Sequence, residues 1–141
     1  MTPVEAMQAT LAGEHSAVHV LGLVGARISV AAEPDLAARV RTSYALHRGR
    51  RDQLTAMVRD AGVAPVAAEV SYEPATPART ASQLRRAALL VEQRCTAVYA
   101  DMVAATSGAN RQWALDALED AAVRLLGLGG EPEAFPGIGE L

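Results

Sequence analysis

The chain has 141 residues and a formal net charge of -3, and 50% of its residues are hydrophobic while only 4% are aromatic. This length suits one domain with a buried core, and the acidic balance is not typical of a nucleic-acid-binding protein. The single cysteine excludes an internal disulfide. Alanine, the strongest helix former, supplies much of the hydrophobic content, so the composition predicts an all-α fold.

The chain carries no sign of export or membrane insertion. Residues 1–10 have neither a basic start nor an apolar run, so no signal peptide is expected. No stretch reaches the roughly 18 uncharged apolar residues of a membrane span. We therefore predict a cytoplasmic protein without a membrane partner.

The first half of the chain predicts two long helices separated at Glu33-Pro34. Thr2, Pro3 and Glu5 form a start signal with a capping box. The apolar stripe of helix one contains Val4, Met7, Leu11, Val18, Leu21 and Ile28, and that of helix two contains Leu36, Val40, Tyr44, Leu54 and Met57 or Val58. Gly22 and Gly25 suggest close contact with a partner helix.

A proline-rich segment, residues 62–79, separates the two halves and has no helical period. About eighteen extended residues can span up to ~60 Å, which is enough to cross a whole bundle. Such a crossover is required if helices two and three run parallel. We therefore predict an up-down-down-up four-helix bundle with this segment along its outside.

The second half predicts two further helices. Helix three starts after the capping pair Thr80 and Gln83 and ends near Ser107-Gly108, and helix four starts at about Asn110. The tail, residues 127–141, is rich in glycine and proline, and Phe135-Pro136 is predicted to pin it to the bundle.

A bundle with one long crossover after its second helix is the ferritin-like arrangement, whose centre holds two metals bound by four glutamates and two histidines. Glu14, His47 and Glu92 occupy mid-helix positions that match part of this set. The first Glu-x-x-His is incomplete because Tyr44 precedes His47 by three residues. Helix four has no histidine at all. The two-metal pattern is therefore incomplete by at least two ligands.

The candidate site is accordingly a core polar cluster or a reduced metal site of iron or manganese, formed by Glu14, His47, Glu92 and Asp120. Secondary candidates are Tyr44, Tyr99 and Glu119. Three interpretations remain open: a buried polar pair, in which Glu14 bonds His47 or an arginine of helix two; a mononuclear or degenerate metal site; and a small-ligand cleft.

Three further features have ordinary interpretations beside functional ones. His15 and His19 lie four residues apart and could clamp a metal, but they flank the apolar seam, which favours a surface or interface pair. Arg48, Arg50 and Arg51 are expected to form a solvated face that pairs with carboxylates of neighbouring helices. Cys95 lies among apolar neighbours and is expected to be a small buried side chain.

Several segments together resemble the DUF4439 family of small actinobacterial ferritin-like proteins. They are residues 14–18, 22–27, 47–52, 92–99 and 116–124 and the Phe135-Pro136-Gly137 tail. The resemblance covers nearly the whole chain. It implies a ferritin-like fold with no established activity and supplies no catalytic residues.

Two functions follow as hypotheses. The first is a non-catalytic structural or interaction protein with an incomplete di-metal site, expected to form a homodimer through its small-residue face. The alternative is a redox or storage protein that keeps a reduced iron or manganese site. No catalytic residue is predicted.

Overall fold

The computed structural model describes residues 1–139, so the last two residues of the predicted tail lie outside the described part. It contains four α-helices: α1 (Pro3–Arg27), α2 (Pro34–Asp60), α3 (Ala81–Ala105) and α4 (Gly108–Gly127). The all-α prediction is confirmed. Helix α4 begins directly after the extended residue Ser107, two residues earlier than the predicted Asn110.

Both predicted capping boxes are present. The Thr2 hydroxyl accepts from the Glu5 amide at 3.2 Å, and the Glu5 carboxylate accepts from the Thr2 amide at 2.7 Å. Thr80 and Gln83 make the same two bonds, each 3.2 Å long. The first turns of α1 and α3 therefore have partners for amides that no helical carbonyl can reach.

The contacts between helices establish their directions. Helices α1 and α2 are antiparallel, since Glu14 contacts His47 while Gly25 lies against Val40. Helices α2 and α3 are parallel, since His47 contacts Glu92 at 3.4 Å and Arg50, one turn later on α2, contacts Tyr99, two turns later on α3. The up-down-down-up topology is confirmed.

The crossover lies along the outside of α1, as predicted. Near the start of α1, Gln8 donates to the Ala64 carbonyl at 2.7 Å. At its end, Arg27 donates to the Ala78 carbonyl at 3.0 Å. The segment thus travels the full length of the bundle and delivers the chain to the start of α3.

The apolar core is divided into two clusters. The lower cluster, named here for the end of the bundle where α1 begins, contains Ala6, Met7, Leu11, Leu54, Val58, Met102 and Ala114. The upper cluster is larger and includes Val20, Leu21, Val24, Leu36, Val40, Leu84, Val91 and Leu125. Between the two lies a level of the bundle where polar side chains are buried.

Gly22 and Gly25 of α1 pack within the chain, and the tail is held to the bundle at a different residue from the one predicted. Gly22 and Gly25 lie against Tyr44 and Val40 of α2 in the same chain, so they permit close packing of α1 on α2. In the tail, Phe135 is 66% exposed and does not pin the segment. Gly137 makes the close approach instead: its φ is +78°, and a Cβ there would collide with the α3 backbone at Thr96.

None of the four helices in residues 1–139 combines the length and the hydropathy that a membrane crossing requires.

Candidate functional site

Five buried polar side chains form one level at the middle of the bundle, called here the polar layer. Its members come from α1, α2 and α3 and are Glu14, His47, Arg50, Glu92 and Tyr99. Arg50 is 8% exposed, and the other four have no exposed surface. Mid-helix positions of a bundle share one level, which is why residues so distant in sequence converge here.

Glu14 is the acceptor at the centre of the polar layer. Its Oε2 lies 2.6 Å from His47 Nδ1. Its Oε1 accepts a short hydrogen bond from the Tyr99 hydroxyl. Both oxygens of this fully buried carboxylate are therefore occupied by donors of the chain itself.

His47 lies between two carboxylates. Its Nε2 is 3.4 Å from Glu92 Oε1, on the side opposite Glu14. Burial by itself lowers the pKa of His47, but the hydrogen bonds and charges of Glu14 and Glu92 outweigh it and raise the pKa to about 9. At neutral pH the side chain is therefore an imidazolium that donates from both nitrogens.

Glu92 is incompletely satisfied. Its Oε2 is buried and has no hydrogen-bond partner among residues 1–139. A buried polar atom without a partner carries a desolvation cost, so it requires an explanation from structure or function. Its position beside His47 makes it the one open acceptor in the polar layer.

Arg50 connects the polar layer to the edge of the bundle. One of its guanidinium nitrogens donates to Asp120 Oδ2 at 2.6 Å, and another lies 3.4 Å from the Tyr99 hydroxyl. The guanidinium carbon is 5.4 Å from the centre of the Tyr99 ring. Arg50 was expected on a solvated face, and its pairing with a neighbouring helix is confirmed, but its burial was missed. The i, i+3 spacing from His47 places both on one face of α2 and could have indicated it.

Charges within the polar layer cancel. The carboxylates of Glu14 and Glu92 face two cations, His47 and Arg50. The Asp120 carboxylate outside it is also bonded by Arg124, at 2.8 Å. Burial raises the pKa of Asp120, but the bonds from Arg124 and Arg50 outweigh this and lower the pKa below its usual value.

The other predicted site residues lie outside the polar layer. The Asp120 side chain is 37% exposed and reaches the layer only through Arg50. Tyr44 is half-buried at the contact of α2 with Gly22 of α1, and the Arg48 guanidinium lies 5.6 Å from its ring centre. Glu119 is exposed on α4. Of the secondary candidates, the structure brings only Tyr99 to the centre.

Cys95 is buried as predicted, but the sequence interpretation missed its neighbours. Its sulfur lies with a Glu14 oxygen and a His47 nitrogen in a group whose members are all within 4.8 Å of one another. Burial raises the pKa of the Cys95 thiol well above its usual value, and the negative charges of Glu14 and Glu92 add to this. The i, i+3 spacing from Glu92 was the available signal.

His15 and His19 hold the crossover. His15 Nε2 lies 3.0 Å from the Val66 carbonyl oxygen, and the His19 ring contacts the Tyr72 ring edge-on at 5.5 Å between centres. Each histidine therefore contacts a different point of the segment along α1, and the two do not share a common site.

The residues of the polar layer do not fit a two-metal centre. Tyr44 replaces the glutamate of the first Glu-x-x-His and packs against Gly22 of α1, outside the polar layer. Arg50 brings a fixed positive charge to the level where a second cation would bind. The donors that could hold a single ion are Glu14, His47 and Cys95, and two of these three are already bonded to groups of the chain.

The polar layer is separated from solvent. A cavity of about 90 Å³ lies between α1 and α3 beneath Ala75 of the crossover and reaches Cys95. Side chains of the polar layer do not line this cavity. A substrate in it would meet the thiol, Arg94 and apolar side chains rather than Glu14 or His47.

Comparisons with known proteins agree with the fold. A crystal structure of a conserved hypothetical protein, rv2844, from Mycobacterium tuberculosis is similar with a TM-score of 0.83 and 25% identity, over 90% of this chain and 94% of that one. No curated protein matches the chain. The family profile described as Domain of unknown function (DUF4439) matches residues 6–140. The chain therefore belongs to the DUF4439 family.

Proposed function

We propose that this protein is a non-catalytic ferritin-like bundle that acts through its surface, as a structural or interaction protein, and that its polar layer is a metal-free network. The observation that carries the proposal is the closure of that layer. Its carboxylates face cations of the same chain, and four of its five side chains have no exposed surface. A reacting substrate would have to displace these bonds before it met a catalytic group.

A structural role accounts for a buried polar layer in a bundle whose helices have similar apolar faces. Many of the core side chains are alanine, leucine and valine, which pack in several registers at similar energy. Buried polar partners have to meet at one level, since a slip by one turn leaves each of them unpaired. The polar layer would therefore fix the register of α1, α2 and α3.

Self-association as a homodimer belongs to this proposal. Val123 and Leu126 of α4 are exposed, as are Phe135 and Ile138 of the tail. Val123 and Leu126 are three residues apart and lie on one face of α4, and contiguous apolar surface is typical of interaction sites. A symmetric dimer is the commonest way to cover such a surface. A cytoplasmic location likewise stays a prediction of the sequence.

Elemental analysis of protein purified without a histidine tag tests the metal-free claim. We expect iron, manganese and zinc each far below one atom per chain, and a melting temperature unchanged by chelator. One atom of any of them per chain, with a melting temperature that falls on chelation, would refute it.

Sedimentation velocity tests the dimer, and a monomer at tens of micromolar, on the order of usual assays, would count against it.

The second candidate is a metal-binding redox or storage protein with a reduced iron or manganese site in the bundle core, where the sequence placed Glu14, His47, Glu92 and Asp120. The specific observation in its favour is the buried Glu92 Oε2, which has no partner among residues 1–139. A bound cation would satisfy that oxygen. The same elemental analysis distinguishes the candidates, because only this one predicts a stoichiometric metal.

A further inference from the structure

We propose that the cavity between α1 and α3 is a binding site for a short-chain aliphatic carboxylate, with the alkyl chain inside the cavity and the carboxylate at Arg94. The polar layer and the homodimer take no part in this site, so the inference goes beyond the proposed function. It assigns a class of ligand to a space that the core leaves unfilled.

The cavity exists because small residues face each other where α1 and α3 meet. Gly13, Ser16 and Ala17 line it from α1, and their spacing places them on one face of that helix. Ala87 is a small residue on the facing side of α3, and Ala75 of the crossover covers the space from outside. The result is a volume of about 90 Å³ enclosed by two helices and the crossover.

The interior of the cavity is apolar and has no acidic side chain. Val20, Val91 and Val98 supply apolar walls, and Cys95 lies among them. Burial raises the pKa of the Cys95 thiol well above its usual value, so the thiol is neutral at pH 7. Such a lining favours an alkyl chain, whose transfer from water is favourable, and it disfavours a charged group inside.

The volume of the cavity sets the length of the alkyl chain. An apolar cavity of about 150 Å³ in another protein binds benzene, so a cavity of about 90 Å³ has room for roughly four carbon atoms. This size favours a chain such as that of butyrate and excludes a fatty acid or an aromatic acid.

The charge at the edge of the cavity identifies the head group. Among residues 1–139, Arg94 is the one charged residue that lines the cavity, and it is exposed, so its guanidinium lies towards solvent. No carboxylate in the described part of the chain forms an ion pair with it. A guanidinium binds a carboxylate through two parallel hydrogen bonds, and the half-buried Ser16 adds a hydroxyl donor from the facing helix.

The crossover offers a route into the cavity. Tyr72 contacts His19 of α1, and the Ala78 carbonyl accepts from Arg27. Residues 73–77 between these two points make no hydrogen bond to any described residue of the chain. Ala75 can therefore move away from the cavity without the loss of a hydrogen bond.

The experiment is a titration of the full chain with sodium butyrate, followed by NMR of the valine methyl groups, with sodium chloride as the control for salt. We expect saturable shifts at Val20, Val91 and Val98 with a Kd on the order of 1 mM, because so small a ligand makes few contacts. Arg94→Gln should weaken butyrate binding about tenfold or more, since it removes a charge-assisted bond. Arg86→Gln, at an exposed position of α3 outside the cavity lining, should leave the affinity unchanged.

Two further comparisons locate the ligand. Butanol has the same alkyl chain without the charge, and it should bind wild type and Arg94→Gln equally. Ala17→Val fills part of the cavity and should abolish binding of both compounds. If this variant does not fold, Ser16→Val fills the space from a half-buried position and should have the same effect.

Three results would overturn the inference. The first is the absence of saturable valine shifts in wild type at about ten times the expected Kd. The second is butyrate binding that Arg94→Gln leaves unchanged, and the third is binding that survives the filling of the cavity. None of these results bears on the metal content or on the dimer, so the proposed function stands or falls separately.

Discussion

The lower apolar cluster and the polar layer lie next to each other in the same bundle and are held together in different ways. Met7, Leu11 and Leu54 pack without directional bonds, so each contributes through the area and volume that it fills. In the polar layer each member depends on a named partner, as Glu14 depends on His47 and Tyr99. The first region tolerates exchange between side chains of similar volume, whereas the second requires particular atoms at one level.

The largest effect is expected from Glu14→Ala, which removes a partner from both His47 and Tyr99. It should lower the free energy of unfolding by about 3–5 kcal/mol, because a charged imidazolium stays buried without its nearest carboxylate. Chemical denaturation at pH 7 measures it. Glu14→Gln should also be damaging, because it removes the negative charge beside the His47 imidazolium, although the amide can still accept from His47 and donate to the Tyr99 hydroxyl oxygen. A Glu14→Gln protein as stable as wild type would show that His47 does not depend on the charge of Glu14.

Leu54→Ala is the matched change in the lower cluster. Leu54 has no exposed surface, so the substitution should cost about 2–5 kcal/mol through lost burial and the cavity that remains. The cost should be the same at pH 6 and pH 9.5, because the side chains around Leu54 in that cluster do not titrate. A pH-dependent cost would mean that the two regions are coupled, against the contrast drawn above.

The free energy of unfolding should depend on pH through His47, which separates the polar layer from the lower cluster. Its folded pKa of about 9 exceeds the ordinary value of 6.5, so its contribution to stability is complete below pH 6.5 and is lost as pH rises through 9. The loss is at most about 3 kcal/mol, at roughly 1.4 kcal/mol for each pH unit between the two values. Cys95 adds a loss of the same sign near the top of this range, because burial keeps the folded thiol protonated while the unfolded thiol ionises at its ordinary pKa of 9. Tyr99 adds little below pH 9.5, because its ordinary pKa of 10 lies above that pH and burial raises the folded pKa further.

Denaturation of wild type and His47→Gln between pH 6 and pH 9.5 isolates this contribution. The difference between the two proteins should shrink as pH rises. A constant difference would mean that folding does not raise the pKa of His47 and that the polar layer is not an ion-pair network.

The smallest effect is expected at the edge of the polar layer, from Asp120→Asn. The Asp120 side chain is 37% exposed, so water screens its ion pairs with Arg50 and Arg124. The change should cost about 1 kcal/mol or less in a thermal or chemical denaturation. A cost as large as that of Glu14→Ala would place Asp120 energetically inside the layer, as the sequence had suggested.

Periodicity and capping predicted the apolar framework well. Leu11, Val40 and Leu54 were assigned to the core, and the length of the crossover set the parallel direction of α2 and α3. These features depend on local spacing and chain length, which a sequence displays directly.

The pairing inside the polar layer was predicted only in part. The convergence of Glu14, His47 and Glu92 followed from their mid-helix positions, but Arg50 was assigned to solvent because arginine is usually exposed. Whether a guanidinium turns inward depends on the side chains of other helices, here Tyr99 and Asp120. A rotation of α2 by a few tens of degrees about its axis would move Arg50 between the core and solvent. The spacing of residues in the sequence does not set that rotation.

The charge state of His47 tests the central claim most directly, and nitrogen NMR of the imidazole ring in wild type measures it. We predict that both ring nitrogens carry protons at pH 7, that the ring titrates near pH 9, and that chelator changes neither result. A neutral ring at pH 7 with one nitrogen lacking a proton, or a spectrum that changes on chelation, would contradict a metal-free network held together by His47.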